Sequence, residues 1–284
     1  MKTFLDCVPC FLKQALEAAR MASDDPQAHV RVLRAVARAV SEMDMDDTPP
    51  SMGQVIHRVV RRETGVDDPY RGVKDRFNSL ALSMYPKMKQ RVASSDDPFG
   101  TAVRLAVAGN IIDFGARSDI DETTLERSIE ESLGWEPADG ALEELRSAVG
   151  SAGDILYVGD NAGEIVFDRI LIEEMPVERI TFAVRGAPII NDVTADDAEF
   201  AGLAGLVPVI DNGSDAPGTM LEDCSRAFRD RFESAELVIA KGQGNYETLS
   251  QAPGRIFFVL KAKCPVIARD IGCEIGDVVV AERA

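Results

Sequence analysis

The stretch DILYVGDNAGEIVFDRILIEEM, residues 154–175, indicates how the second half of the chain folds. An apolar run at 155–158 is typical of a buried strand, and the apolar spacing of three and four that follows predicts an amphipathic helix. Asp160 and Asn161 stand between the two patterns and are bracketed by glycines. A strand that ends in polar residues at a glycine-rich turn is typical of an α/β sheet with a ligand site at its edge.

The same alternation continues to the end of the chain. Five β-rich runs lie at 154–160, 179–186, 206–213, 236–244 and 255–262, and a sixth at 276–281 is expected to add an edge strand. Helical patterns separate most of them, at 162–175, 194–205 and 217–232. Strands that alternate with helices predict a Rossmann-like three-layer α/β/α domain with a mostly parallel sheet.

The first half has helical apolar spacing almost throughout. The clearest patterns lie at 10–22, 28–43, 52–65 and 99–116. Aspartate or threonine followed by proline precedes several of them, which is typical of helix starts. We therefore predict a helical domain at 1–150 packed on a Rossmann-like domain at 151–284.

The overall composition restricts the class of protein. The chain has 284 residues, 45% of them hydrophobic, and a net charge of −17. This charge argues against nucleic acid or an anionic membrane as a partner. The start of the chain does not resemble a signal peptide, and no apolar run reaches the roughly 20 residues that span a bilayer. Five cysteines, an odd number, suit a reducing cytoplasm, where we expect the protein to be.

Polar residues follow four of the predicted strands, at the edge where ligands of open α/β sheets bind. The candidate catalytic residues are Asp160, Asn161, Asp192 and Lys241. The candidate substrate-binding residues at this edge are Glu164, Arg185, Ser214, Gly242, Gly244 and Asn245. Their convergence on one sheet edge predicts a binding or catalytic site. The chain lacks the G-x-G-x-x-G dinucleotide motif, the P-loop and the G-x-S-x-G nucleophile elbow.

Asp160, Asn161 and Asp192 are candidate metal ligands. Carboxylate and amide oxygens are hard donors of the kind that Mg²⁺ or Mn²⁺ prefers. The alternative is that Asp160 and Asp192 each cap the helix that follows. We favour the metal interpretation because the three residues follow strands expected to be neighbours.

Lys241 is a candidate phosphate-binding residue. It lies beside Gly242 and Gly244, whose backbone N–H groups are expected to wrap around an anion. The alternative is an ordinary turn from strand to helix. Ser214 lies in the stretch GSDAPGT, for which a simple loop is an equally good interpretation.

At these residues the sequence resembles the damage-control phosphatases of the domain-of-unknown-function-89 family. The resemblance rests on VGDNAGE, GAPIINDVT, DNGSDAPGT, KGQGNYE and VLKAKCPVIA, together with AGNIIDFG and the N-terminal CVPC. It implies a helical domain on a Rossmann-like domain and metal-dependent hydrolysis of phosphate monoesters. The implied substrates are sugar phosphates or damaged and side-product phosphometabolites, and the implied metal ligands are Asp160, Asn161 and Asp192.

The resemblance also gives a meaning to two further motifs. Asn110 and Asp113, three residues apart on one helix face, are expected over the sheet edge, where Asn110 contacts substrate or metal-coordinated water and Asp113 supports it. For Cys7 and Cys10 we favour packed thiols or a redox-sensitive pair over half of a zinc site, because no second C-x-x-C or nearby histidine completes one.

The expected mechanism uses a divalent ion, Mn, Co, Ni or Mg, held by Asp160, Asn161 and Asp192. The ion activates a water as nucleophile, and Lys241 holds phosphate oxygens. Direct attack by Asp160 is the less favoured route. Two other functions stay open: an S-adenosylmethionine-dependent carboxyl methyltransferase and a non-catalytic sensor of a metal and a metabolite. The sequence does not specify an oligomeric state.

Overall fold

Helices form the first half of the described chain. A computed structural model describes residues 1–111, 122–135 and 140–283. Its first seven helices are α1 (Cys7–Ala22), α2 (Pro26–Glu42), α3 (Pro49–Thr64), α4 (Arg71–Ala93), α5 (Pro98–Ile111), α6 (Glu122–Leu133) and α7 (Ala141–Ser151). None of the helices in the described ranges is long and apolar enough to cross a bilayer.

Strands and helices alternate in the second half. The strands are β1 (Ile155–Val158), β2 (Ile180–Val184), β3 (Val209–Asp211), β4 (Leu237–Lys241), β5 (Ile256–Lys261) and β6 (Val278–Arg283). The helices are α8 (Glu164–Ile172), α9 (Ala195–Phe200), α10 (Arg226–Ser234), α11 (Gly242–Leu249) and α12 (Pro265–Ile271).

The six strands form one sheet in the order β3-β2-β1-β4-β5-β6. All neighbours pair in parallel except β6, which runs antiparallel to β5 at the edge. The structure thus confirms the predicted mostly parallel sheet and its final edge strand. The strand order reverses between β1 and β4, and the crevice at such a switch point is where open α/β sheets bind ligands.

Alternation along the strands divides the core between the two faces of the sheet. In β1, Ile155 and Tyr157 belong to the cluster that packs under α4, α5, α7 and α8. Leu156 and Val158 belong to the cluster that packs against α10, α11 and α12. This period of two produces the three-layer arrangement, since successive side chains of a strand point to opposite faces.

The helices of the first half have two different roles. Those from α4 to α7 share one continuous hydrophobic cluster with the sheet. Those from α1 to α3 form a cluster of their own, with Ile190 packed against it from the second half. The hydrophobic core therefore crosses the predicted domain boundary at residue 150, and the division into domains at that residue stays a prediction.

The helix predicted over 217–232 begins only at Arg226, which corrects the prediction for 217–225. Gly218 has φ +113°, a value that L side chains rarely adopt, and a Cβ added there would lie 2.5 Å from the carbonyl oxygen of Gly244. The backbone therefore turns against α11 before a helix can start. Ser225 then caps α10, because its side chain accepts the N–H of Phe228.

Candidate active site

Two loops pair at the carboxyl edge of the sheet and bring the predicted metal ligands together. The loop after β1 and the loop after β2 form an antiparallel bridge between Asn161 and Asp192. Two backbone bonds flank it: the N–H of Ala162 donates to the carbonyl of Asn191 (2.9 Å), and the N–H of Val193 donates to that of Asp160 (2.8 Å). The bridge places two carboxylates and one amide in adjacent positions.

The loop after β2 adopts an unusual backbone conformation at Ile190. Its φ of +45° is the only positive value of a non-glycine residue among the described residues, and it is rare for a β-branched side chain. Ile190 packs on the cluster formed by α1 to α3 and also lines the cleft at the site. The helical half thus helps to hold the strained loop that carries Asp192.

Asp160 and Asp192 are buried carboxylates, 9% and 5% exposed. Burial, followed by the charges of Glu164 and Asp192, raises the pKa of Asp160 well above its usual range. Burial likewise raises the pKa of Asp192, although Arg185 acts in the opposite direction. The local environment therefore disfavours both negative charges, and a bound cation would reverse this effect.

The Asn161 side chain is oriented by two carboxylates. Its Nδ2 donates to Asp160 Oδ2 (2.6 Å) and to Glu164 Oε2 (3.0 Å). With Nδ2 engaged in this way, Oδ1 is the amide atom left to bind a cation. Glu164 is fully buried, so it orients Asn161 instead of contacting a ligand at the edge.

Gly242 makes room for the Asp160 carboxylate. It has φ +78°, and a Cβ added at this position would lie 1.8 Å from Asp160 Oδ2. No side chain fits between the start of α11 and the end of β1. This glycine is therefore required by the position of a candidate metal ligand as well as by the turn.

A buried charge cluster lies beneath the site and includes Lys241. Its Nζ contacts Asp168 Oδ1 (2.5 Å), Glu164 Oε1 (2.8 Å) and the carbonyl of Ala106 (3.0 Å), and Tyr157 donates to Asp168 Oδ1 (2.7 Å). Burial raises the pKa of Asp168 to about 6, although Lys241 opposes the rise. Burial opposes the protonation of Lys241, but Asp168 and Glu164 keep its pKa above the usual range.

The expected contact between Lys241 and a substrate phosphate needs correction. Lys241 is the last residue of β4, and the period of two puts its side chain on the same face as Leu237 and Ile239, under α5 and α8. The ammonium is 0% exposed, and its three contacts match the three donors of a lysine. It balances buried acids in this structure.

Three further predicted substrate contacts are also buried side chains that hold other protein groups. Arg185 donates to Asp192 Oδ2 (2.7 Å), to Thr219 and to Asn245. Asn245 in turn donates to the carbonyls of Gly159 (3.1 Å) and Lys241 (2.7 Å), while Ser214 donates to Asp223 (2.5 Å). Arg185 and Asn245 thus fix Asp192 and the ends of β1 and β4. The expectation of direct substrate contact is corrected for Arg185, Asn245 and Ser214, and also for Glu164.

The structure argues against helix capping as the role of the two aspartates. The N-cap of α9 is Thr194, which forms a capping box with Asp197, and the N-cap of α8 is Gly163, which has no side-chain cap. Asp192 pairs with Arg185 instead. Asn110 lies on α5, but its side chain and the whole of Asp113 lie outside the described residues, so their expected roles stay predictions.

The site opens into a cleft of about 550 Å³ between the sheet edge and the helical half. Asp160, Asn161 and Asp192 line its floor, α1 and the start of α3 form one wall, and α11 with the loop after β5 forms the other. Three residues outside the predicted set of site residues also line this second wall: Gln243, Glu247 and Lys263. Gln243 and Glu247 follow β4, the strand end that also carries Lys241 and Asn245. Lys263 follows β5, after which no site residue was predicted.

The cysteines are free thiols. Cys7, Cys10 and Cys264 line the cleft, and Cys224 is buried in the core as expected. Within the described ranges, no three His, Cys, Asp or Glu side chains are grouped so that they could hold a metal ion. The predicted centre differs from such a group, because it combines two carboxylates with an amide. These donors suit a hard divalent cation that also binds water or phosphate oxygens.

The fold and the site define a Rossmann-like α/β protein with a helical first half and an acid-and-amide cluster at the switch point of its sheet. Residues 3–279 match the family described as the damage-control phosphatase ARMT1-like domain. A damage-control phosphatase of Archaeoglobus fulgidus is 36% identical over 286 residues, which cover 96% of each chain. A damage-control phosphatase of Pyrococcus horikoshii is 36% identical over 276 residues, 95% of this chain and 94% of that one.

A solved structure shares the whole fold. The crystal structure of a DUF89 family protein from Pyrococcus horikoshii has a TM-score of 0.91 and 34% identity, with both chains covered completely. The chain therefore belongs to the damage-control phosphatase ARMT1-like family, also called DUF89.

The substitution Gly242→Ala is predicted to weaken metal binding, because the new Cβ must displace the Asp160 carboxylate. Gly65→Ala is the matched control: its φ is +73° and nothing lies within 4 Å of the added Cβ. Both variants should lose about 1–2 kcal/mol of stability through backbone strain. Only Gly242→Ala should lower Mn²⁺ affinity, by about tenfold or more. A titration that finds the same Mn²⁺ affinity in both variants would contradict this role of Gly242.

The substitution Lys241→Met is predicted to lower the free energy of unfolding by about 3–5 kcal/mol, because it leaves Glu164 and Asp168 buried without their cation. Urea unfolding measures the loss. Lys87→Met is the control: the Lys87 ion pair with Glu126 is exposed, and its removal should cost less than about 1 kcal/mol. Unchanged stability of Lys241→Met, with a raised KM for phosphate esters, would restore the direct phosphate contact expected from the sequence.

Proposed function

We propose that this protein is a metal-dependent phosphatase that hydrolyses phosphate monoesters of small metabolites, namely sugar phosphates or damaged and side-product phosphometabolites. The observation that carries the proposal is the pairing of the Asp160–Asn161 and Asp192 loops at the switch point of the sheet. Membership of the family and the names of two relatives support a phosphatase role.

Asp160, Asn161 and Asp192 would hold the divalent ion, Mg, Mn, Co or Ni. When bound, such an ion offsets the charge of a phosphoryl group and lowers the pKa of a coordinated water. The burial of both carboxylates and the orientation of the Asn161 amide fit this role. We assign Asp160 to ligation rather than to nucleophilic attack, because its Oδ2 is engaged by Asn161 and packs on Gly242.

The chain's own groups would position the substrate around this centre. The backbone N–H groups of Gly242 to Gly244 belong to the first turn of α11, where a helix has no internal acceptor for them, and Gly244 lines the cleft. They would donate to phosphate oxygens. Arg185 would keep Asp192 in place during the reaction, and Glu164 would keep the Asn161 amide from turning.

The cleft supports a small molecule as the substrate. Its volume of about 550 Å³ is in the range of metabolite sites, and its walls are side chains of this chain. The net charge of −17 argues against nucleic acid as the partner. We place the protein in the cytoplasm, where thiols stay reduced, because all five cysteines are free.

The test is phosphate release from a panel of phosphate esters by chelator-treated protein, with Mg²⁺, Mn²⁺, Co²⁺ or Ni²⁺ added back. Release should require a metal and should fall about a hundredfold or more in Asp160→Asn and in Asp192→Asn. Asp211→Asn is the control, because Asp211 is an exposed carboxylate at the end of β3 on the same sheet edge. It should retain wild-type release.

Four results would overturn the proposal. Release that needs no metal, or that survives in Asp192→Asn, would refute the assigned centre. No phosphate release from any ester of the panel, with metal binding intact, would favour the sensor. No phosphate release, together with binding of S-adenosylmethionine measured by calorimetry, would favour the methyltransferase.

A further inference from the structure

The cleft has an excess of negative charge, while its proposed substrate is an anion. The described residues that line it include five acidic side chains and two lysines: Asp6, Glu17, Asp160, Asp192, Glu247, Lys13 and Lys263. A divalent ion at Asp160 and Asp192 offsets only part of this excess. A phosphate monoester carries up to two negative charges at neutral pH, so its capture requires a further cation near the metal.

The lysine that the sequence singles out for this task is not accessible. Lys241 is 0% exposed and contacts Asp168, Glu164 and the carbonyl of Ala106. Arg185 is 1% exposed and bonded to Asp192. The accessible cations of the cleft, among the described residues, are therefore Lys13 and Lys263.

These two lysines differ in their partners. Lys13 lies on α1 and forms an ion pair with Glu17 (3.8 Å), one helical turn away. Lys263 is exposed and has no ion-pair partner in the described part of the chain. The Lys263 ammonium, on a flexible four-carbon stem, can therefore bind an anion without breaking an ion pair, whereas Lys13 would have to leave Glu17.

The backbone of Lys263 is tied to the same helix turn that faces the site. Its N–H donates to Gln243 Oε1 (3.3 Å), and Gln243 lies between the two glycines at the start of α11. The Cα of Gly242 packs on the Asp160 carboxylate. Lys263 lines the same cleft as Asp160 and Asp192. The loop after β5 therefore holds Lys263 beside both the candidate metal ligands and the N–H groups of α11.

We propose that Lys263 is the substrate-binding cation of the cleft and that its ammonium holds the phosphoryl group against the metal centre. This inference rests on the proposed phosphatase function, which it deepens by naming a further residue that contacts the phosphate. The residue lies two positions beyond β5, on the second wall of the cleft. Its chemistry suits a mobile dianion, because a lysine offers three donors that rotate with the substrate.

The test compares wild-type protein with Lys263→Met, Lys263→Arg and Lys13→Met, all as the full chain loaded with Mn²⁺. Inorganic phosphate is the probe, both as a calorimetric ligand and as a competitive inhibitor of ester hydrolysis. Lys263→Met should weaken phosphate binding by about ten- to a hundredfold and raise KM for esters more than it lowers kcat. Lys263→Arg should recover most of the loss. Lys13→Met should stay within about fivefold of wild type.

Two controls separate this role from a structural one. Mn²⁺ affinity should not fall in Lys263→Met, since the ammonium is not a ligand, and its removal relieves repulsion of the cation. The midpoint of urea unfolding should stay at the wild-type value, because the side chain is exposed. The proposal would be overturned if Lys263→Met lost Mn²⁺ affinity, or stability to urea, together with phosphate binding.

The outcomes also distinguish failure of the inference from failure of the proposed function. Ester hydrolysis by wild type together with unchanged phosphate binding in Lys263→Met would overturn the inference and leave the phosphatase intact. No hydrolysis by wild type, with phosphate binding that disappears in Lys263→Met, would remove the phosphatase and support Lys263 as an anion-binding residue. Absence of phosphate binding in the Mn²⁺-loaded wild type would overturn both.

Discussion

The carboxyl edge of the sheet must accommodate two carboxylates that lie side by side and are largely shielded from water. The rest of the site depends on this constraint. Asp160 and Asp192 are held together by the bridge between their loops, and burial raises the pKa of each. Such an arrangement is unfavourable for ionised acids unless positive charge is supplied. Arg185 supplies part of it to Asp192, and a divalent cation would supply the remainder.

Buried polar side chains from the second half and from the helical half hold this arrangement in place. Asn245 joins the ends of β1 and β4 through the carbonyls of Gly159 and Lys241. From the helical half, Asn78 accepts the N–H of Gly163 (2.6 Å) and so fixes the turn after the ligand pair. These buried hydrogen bonds restrain the loops around the site, as expected of a site that must keep its ligands in one geometry.

Sequence patterns were sufficient for the sheet, for its edge and for the proximity of Asp160, Asn161 and Asp192, because strand period and strand-end position decide these features. They were insufficient for the surrounding charged residues. Lys241, Arg185 and Ser214 have the residue types of ligand-binding groups, and only tertiary burial shows that they hold protein partners. The predicted run at 236–244 already contained Lys241, and alternation along it puts Lys241 on the same face as the core residues Leu237 and Ile239. The residues directly after β5 include no acid or amide, so the strand-end pattern did not mark Lys263 as a candidate.

The most direct test of this account is anomalous diffraction from crystals soaked in Mn²⁺. The account predicts a strong anomalous peak within coordination distance of Asp160, Asn161 and Asp192, at the switch point of the sheet. A well-occupied Mn²⁺ ion elsewhere in the cleft, or no ion at this position while both carboxylates stay buried, would contradict it.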